Sequence, residues 1–473
     1  MMTDIGHGGP AAGVLGGGGS GPADAWAIEA LARHIGPEQI VEVLARTGSI
    51  EQRRRRLPSE AVVLLMVMMG LRADLDMAGL WRQVCGAWTQ TLAALSAIKP
   101  VAKSALSKAR GRVGARPLRQ LMLLTGRTPT AGVYYRQMRL LAMDGDSYKL
   151  CDTPANAAAF GRPTTARDGT TLEGGYPQLH LTRLIDAGTR VTIEALVRPC
   201  NSSDHDTAQH LLSAAVAGAL VLFDCGYYSF ELMQLAGAQQ KFFLCPVPAH
   251  AVLRPIRHLA DGSYLVRCYA TPSHRRDDRG GIVLRVLEYT LDEPARKGHA
   301  ERHRLISNLL EDAACPALEL IVLYHERWEI EIANDEITTH QLGRPVELRS
   351  KIPAGVVQEM YAVLLAHNAV RLAMAEAALP RNLDPRTLSF INAVRVVREA
   401  VQQMRDAPTA RLPLIYRGML QQIATCVLPL RDGRINPRVV KVIRPSNFPV
   451  KKPHHRNFPQ PKKTFIESIV MLK

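Results

Sequence analysis

The chain has 473 residues, a formal net charge of +16 and a 47% hydrophobic share. This length exceeds one ordinary core, so two or three domains are expected, and the apolar share is enough to bury them. The excess of positive charge, in which Arg far outnumbers Lys, suits a polyanionic partner, because cations that neutralise phosphates release counterions. Eight scattered cysteines without a CxxC pair argue against a zinc site and read as free thiols in a reducing, cytoplasmic setting. No basic start followed by an apolar run opens the chain, so no signal peptide is expected. No window of about 18 uninterrupted apolar residues occurs, so no membrane-spanning helix is expected either.

Residues 6–21, GHGGPAAGVLGGGGSG, lack the GK[ST] ending of a phosphate-binding loop and place a flexible tail over 1–24. From 25 to 130 the pattern is helical. AWAIEALARHI repeats apolar residues at three and four, and PEQIVEVLARTG opens with Pro37 and closes with Gly48. Arg53 to Arg56 suit a DNA contact and a solvated loop equally well. The apolar run Ala61 to Leu71 is too short for a bilayer and reads as a buried core helix. SALSKARGRVGARPLRQLM adds Arg and Lys at helical spacing, giving an all-helical, basic N-terminal domain.

The texture changes over 131–247. QMRLLAMDGDSYKL reads as a strand ending in acids, and PQLHLTRLID and TRVTIEALV as two strands joined by the turn AG. Then DTAQHLLSAAVAGA reads as a helix, LVLFD as a buried strand, YYSFELMQLAG as a helix and KFFLCPV as a strand, which suggests a mixed α/β sheet. Residues 248–314 read as a β-rich insertion, with SYLVRCYA and IVLRVLEYTL linked by the charged loop SHRRDDRGG. The α/β order resumes over 315–400. ALELIVLY reads as one more buried strand, running into YHERWEIEIANDEITTH, and PAGVVQEMYAVLLAHNAVRLAMAEAAL as a long helix. Residues 401–473 read as a helical segment and a basic, proline-rich arm suited to lie along phosphates.

Metal-assisted phosphodiester chemistry uses divalent ions held by hard oxygen ligands, so three acids that a fold can gather are sought. Asp144 ends an apolar strand, with Asp146 on the same strand face as a rival or assistant. Asp224 ends LVLFD, where sites in α/β sheets fall; the alternative is an Asp that caps the following helix. In the stretch from Tyr324 to His340, a turn of about 100° per residue places Glu331 and Asp335 on the face of Tyr324 and Arg327, with Thr338 on the same stripe. It points Glu326, Glu329 and Glu336 elsewhere. Glu331 lies nearer the strand end and is preferred; a solvated helix face is the alternative.

The spacing Y-x2-R-x3-E, here Tyr324, Arg327 and Glu331, resembles the signature of the insertion-sequence-four group of bacterial DDE transposases. The resemblance extends through MDGDSYKLCDTPANAAAFG, LVLFDCGYYS, HRLISNLLEDAACPALELIVLYHERWEIE and ELRSKIPAGVVQEMYAVLLAHNAVR, and covers most of the chain from 25 to 460. It implies a ribonuclease-H-like α/β catalytic core with a β-rich insertion, beside the helical N-terminal domain. It implies Asp144, Asp224 and Glu331 as catalytic and metal-binding residues, two Mg2+ ions (with Mn2+ as a substitute) and cut-and-paste transposition. Its implied partners are double-stranded DNA, at terminal inverted repeats and target, and a second copy of the chain in a paired-end complex. A nucleoid-associated cytoplasmic setting and no membrane partner follow. Tyr324 and Arg327 would contact phosphate and Trp328 would stack on a flipped base, a plain core Trp being the alternative. The signature continues x6-K, and here that place holds Thr338, so Arg349 and Lys351 are candidates to replace the cation. Cys225 stands where relatives commonly have Arg, and KTFIESIVMLK is unlike the usual ending. A catalytically impaired copy that binds element ends and represses transposition is the alternative function.

Overall fold

The computed structural model describes residues 36–51, 57–88, 101–127, 134–167, 170–296, 298–343, 347–429 and 461–472. The glycine-rich start, all of AWAIEALARHI, Arg53 to Arg56 and most of the proline-rich arm lie outside the described residues. The chain divides into two compact units. One runs to Leu220 and resumes over Arg327–Leu428; the other holds Val221–Glu326 and the chain from Pro429.

The first unit begins with the helices Pro37–Arg46, Ser59–Leu71, Met77–Trp88, Lys103–Val113 and Arg116–Gly126. This is the helical pattern expected. Ser59–Leu71 is buried on nearly every side, as its continuous apolar run requires, and packs on the long helix Pro353–Ala378. Gly70 makes that approach possible: a Cβ there would lie 2.5 Å from the Ala362 carbonyl oxygen. The chain through Pro353–Arg381 is long and apolar enough to cross a membrane, but 72% of its apolar window is buried inside the protein.

The strands of this unit are β1 (Tyr134–Tyr135), β2 (Met138–Lys149), β3 (Thr164–Arg167), β4 (Thr170–Glu173), β5 (Gln178–Asp186) and β6 (Thr192–Pro199). β2, β5 and β6 form an antiparallel run with β5 in the middle; β1 pairs with β2, and β3 with β4. The AG turn between β5 and β6 is tied by the Asp186 carboxylate, which accepts the N–H groups of Gly188 and Thr189 at 3.0 and 2.9 Å.

The second unit contains β7 (Leu220–Leu222), β8 (Phe242–Pro246), β9 (Pro255–His258), β10 (Tyr264–Cys268), β11 (Ile282–Leu291), β12 (His303–Ser307) and β13 (Ile469–Met471). Their order is β7-β8-β12-β11-β10-β9, with β13 also pairing β11. The charged loop SHRRDDRGG carries a short helix, Pro272–Arg276, capped by Thr271.

ALELIVLY is a helix, Ala317–Tyr324, and not the strand expected from its apolar run. Ala317, Leu320, Ile321 and Leu323 are buried, whereas Leu318 is exposed. That is a helical repeat, started by Pro316 at the N-cap. Short apolar runs fit either state by composition, and packing decides.

Candidate active site

Asp144 lies in β2 where a buried run, Leu140 to Met143, gives way to half-exposed residues. Its Oδ1 accepts the N–H of Gly145 at 2.8 Å. Directly across on β5 stands Arg183, fully buried. The Arg183 guanidinium donates to the side-chain oxygen of Asn334, which lies on the helix Trp328–Asp335. That helix packs on β2, so within this unit the element bearing Glu331 rests on the strand bearing Asp144. Burial pushes the carboxyl pKa of neighbouring Asp146 up, against the Ser147 N–H and the charge of Arg183.

Gly145 faces the other side of the sheet, where the His180 ring and the Asp204 carboxylate hydrogen-bond at 2.6 Å. A Cβ on Gly145 would lie 2.6 Å from Asp204 Oδ1 and 2.7 Å from His180 Cε1. A side chain between the two acids would have to displace the His180–Asp204 pair.

Asp224 follows β7 in the second unit and is half-buried. It precedes a short 3-10 turn, Cys225–Tyr227, without a side-chain capping bond. The helix Phe230–Ala238 is capped instead by Ser229, whose hydroxyl accepts the Leu232 N–H at 3.2 Å. The capping alternative for Asp224 therefore fails. The Tyr324 hydroxyl donates to the carbonyl of Phe223 at 2.9 Å, one residue before Asp224. Cys225 is exposed, and desolvation with the charge of Asp224 pushes its thiol pKa up.

The stretch from Tyr324 is not one uniform helix. A 3-10 turn, His325–Arg327, leads into the α-helix Trp328–Asp335, and a π-helical segment, Glu336–Leu342, follows. Bonding from i to i+5 widens the turn, so a constant α-helical phase does not carry to Thr338. The Thr338 hydroxyl donates to the Asn334 carbonyl at 2.9 Å. Arg327 and Glu331, one helical turn apart, pair at 2.8 Å, with the Glu331 side chain 38% exposed. Trp328 is 54% exposed, which excludes a core role, and the Arg327 guanidinium sits 5.6 Å from its ring centroid.

The opposite side of the stretch is drawn into the protein. Glu329 and Glu336 turn inward to Arg190, at 2.6 and 2.7 Å. Glu336 also meets His367 at 3.1 Å and Arg371 at 3.6 Å, all three buried. Burial alone would raise the Glu336 pKa, but Arg371, His367 and Arg190 outweigh it and hold it at about 2. This network was missed from sequence. Its signal was the His and Arg of AHNAVR, one helical turn apart within an apolar helix, where buried charge demands partners. Asp335 is exposed, beside Thr339 and His340.

Arg349 donates to the Leu75 carbonyl at 2.7 Å and lies 3.8 Å from Glu359. Its guanidinium is thus spent largely on the fold. Lys351 is exposed. Among the described residues, no group of three or more His, Cys, Asp and Glu side chains is arranged to hold a metal ion.

Residues 26–122 match the family described as insertion element 4 transposase N-terminal, and residues 135–369 the transposase DDE domain. The chain is 30% identical to the transposase InsG for insertion sequence element IS4 of Escherichia coli K12, over 89% of this chain and 93% of that protein. It is 26% identical to the putative transposase InsZ of the same organism, over 43% of this chain and 65% of that protein. Among solved structures, a piggyBac transposase synaptic complex with hairpin DNA aligns at a TM-score of 0.42 and 12% identity, covering 86% of each chain. The DDE domain makes this protein a DNA transposase, a DNA-cleaving enzyme of a class that depends on divalent metal. The chain belongs to the insertion-sequence-four family of DDE transposases. Its mixed α/β architecture with a helical N-terminal region is the expected class, and the DDE-domain match agrees with the ribonuclease-H-like core.

Proposed function

We propose that Asp144, Asp224 and Glu331 are the catalytic carboxylates of cut-and-paste transposition and would hold two Mg2+ ions, with Mn2+ able to replace them. The donor set fits: all three offer hard carboxylate oxygens, the ligands such ions prefer. The bound ions would supply a water of lowered pKa and Lewis-acid stabilisation of the phosphodiester. The single observation that carries this reading is the seating of the Glu331 helix on the Asp144 strand, bound through Asn334 and Arg183.

The chain's own residues divide the remaining work. Arg327 holds the Glu331 carboxylate through their ion pair. Tyr324 fixes the end of the Asp224 strand through the Phe223 carbonyl. Trp328 offers an exposed ring for a displaced base. Lys351 meets phosphate in place of the cation that Thr338 lacks, and Arg349 shapes the same loop. The N-terminal helices, 25–130, bind the terminal inverted repeats. Two copies join two ends, and the freed 3′-hydroxyls then attack target DNA on the bacterial nucleoid.

The test is cleavage of duplex DNA carrying the inverted repeats that flank the gene, with Mg2+ and with chelator. Asp144→Ala, Asp224→Ala and Glu331→Ala should each abolish cleavage and leave end binding intact. Full cleavage by any of them overturns the site.

A further inference from the structure

The last residues, KTFIESIVMLK, are built into the second unit at many points. Thr464 and Glu467 form a reciprocal capping box that starts the helix Phe465–Ser468. β13 then pairs antiparallel with β11, Tyr289 opposite Met471 and Leu291 opposite Ile469. Two further backbone bonds extend the pairing: Asp292 N–H to the Ser468 carbonyl at 2.7 Å, and Leu472 N–H to the Glu288 carbonyl at 3.0 Å. The Glu293 carboxylate accepts the N–H groups of Lys462 and Lys463, each at 2.9 Å. Lys463 Nζ meets Asp292 at 2.5 Å, and Arg296 donates to the Lys463 carbonyl at 3.0 Å. Ser468 is fully buried. A loose end would not satisfy so many backbone groups.

This docking ends at the signature. The Phe465 ring packs against the His325 ring, and the Arg296 guanidinium lies 5.9 Å from the centre of Phe465. His325 directly follows Tyr324 and opens the 3-10 turn, His325–Arg327, from which the Glu331 helix starts.

We propose that the C-terminal segment 462–472 is a clasp whose Phe465 positions the His325 turn, and through it Tyr324 and Glu331, for strand cleavage. The surface formed by the β11 edge, Arg296 and His325 is a peptide-docking site whose occupant is this segment of the chain. Recognition follows strand addition: main-chain pairing holds the segment, and one aromatic side chain in a specific place gives the effect. Phe465 is a positioning residue and touches no substrate. Displacement of a catalytic group by about 1 Å lowers rates by about a hundredfold, so a contact this close to the signature has leverage on turnover. The proposal rests on the catalytic reading of Glu331.

The experiment uses the full chain, a chain ending at Pro461, and Phe465→Ala. Single-turnover cleavage and end binding are measured on duplex carrying the flanking inverted repeats, and folding is checked by circular dichroism. Both altered proteins should cleave at least about tenfold more slowly and bind ends with unchanged affinity. A synthetic peptide of residues 462–473, added to the shortened chain, should restore cleavage; the same peptide with Phe465→Ala should not. Wild-type cleavage by the shortened chain, or equal rescue by the two peptides, overturns the clasp. Should the shortened chain fail to fold, a cycle of Phe465→Ala and His325→Ala decides: each alone should slow cleavage, and the pair no more than either. Additive losses reject the contact. A full-length protein that does not cleave at all refutes the catalytic reading instead.

Discussion

Glu331 and Glu336 are five residues apart in one helical stretch, and the proposed site gives them opposite roles. Glu331→Gln removes a half-exposed carboxylate whose ion pair, with Arg327, spans one helical turn. Such a pair is worth about 0.3–0.5 kcal/mol. Glu336→Gln removes a buried charge set 2.7 Å from Arg190 and 3.1 Å from His367, with Arg371 at 3.6 Å. Arg190 keeps Glu329, but Arg371 is left without its nearest carboxylate. Breaking a buried pair in this way costs about 3–5 kcal/mol, a large part of the roughly 5–15 kcal/mol that holds a protein folded. Cleavage should respond in the reverse sense. If Glu331 holds metal as proposed, its loss forfeits several kcal/mol of transition-state stabilisation, and about 4 kcal/mol is roughly a thousandfold in rate. Urea unfolding followed by circular dichroism, and Mg2+-dependent cleavage below the unfolding transition, separate the two. Glu331→Gln should unfold with the wild type and fail to cleave. Glu336→Gln should unfold early and, while folded, cleave. A Glu336→Gln protein of wild-type stability, or a Glu331→Gln protein that loses both properties together, would refute the assignment.

His367 should make stability fall in mild acid. Burial pulls its pKa from 6.5 down to about 4, outweighing the Glu336 bond. The unfolded chain therefore takes the proton first. The contribution is complete above about 6.5 and is lost as pH falls towards about 4, a difference of about 3 kcal/mol. A His367→Gln chain should show a flatter profile over that window in urea titrations; an unchanged slope would place the effect elsewhere. Gly145→Ala drives a Cβ into Asp204 and His180. Overpacking of this kind costs about 1–3 kcal/mol, and cleavage should fall while end binding persists; normal turnover would show that β2 shifts harmlessly. Tyr324→Phe deletes the bond to the Phe223 carbonyl, worth about 1 kcal/mol. It should slow cleavage without weakening DNA binding, whereas a loss confined to affinity would make Tyr324 a phosphate contact first. Lys351→Ala should lower the slope of log affinity against log salt by about one phosphate contact. An unchanged slope would remove Lys351 from the DNA surface.

Local order in the sequence was enough for several of these features. Apolar spacing specified the N-terminal helices, the alternating strands around Asp144 and the β-rich stretch after β8, because a residue's period along the chain is a local property. The signature spacing singled out Tyr324, Arg327 and Glu331 for the same reason. Long-range packing settled the rest. ALELIVLY became a helix because its buried face repeats at helical spacing against neighbours that the sequence does not name. Glu329 and Glu336, which helix phase only pointed away from the stripe, joined an inward network because Arg190, His367 and Arg371, distant along the chain, converge on them. Asp224 lost its capping alternative because Ser229 caps the next helix. The strange ending KTFIESIVMLK, mute as a sequence, became a strand on β11 with Phe465 against His325. Periodicity reports which face a residue offers; only the folded chain brings to that face the partner that fixes its charge, its burial and its use.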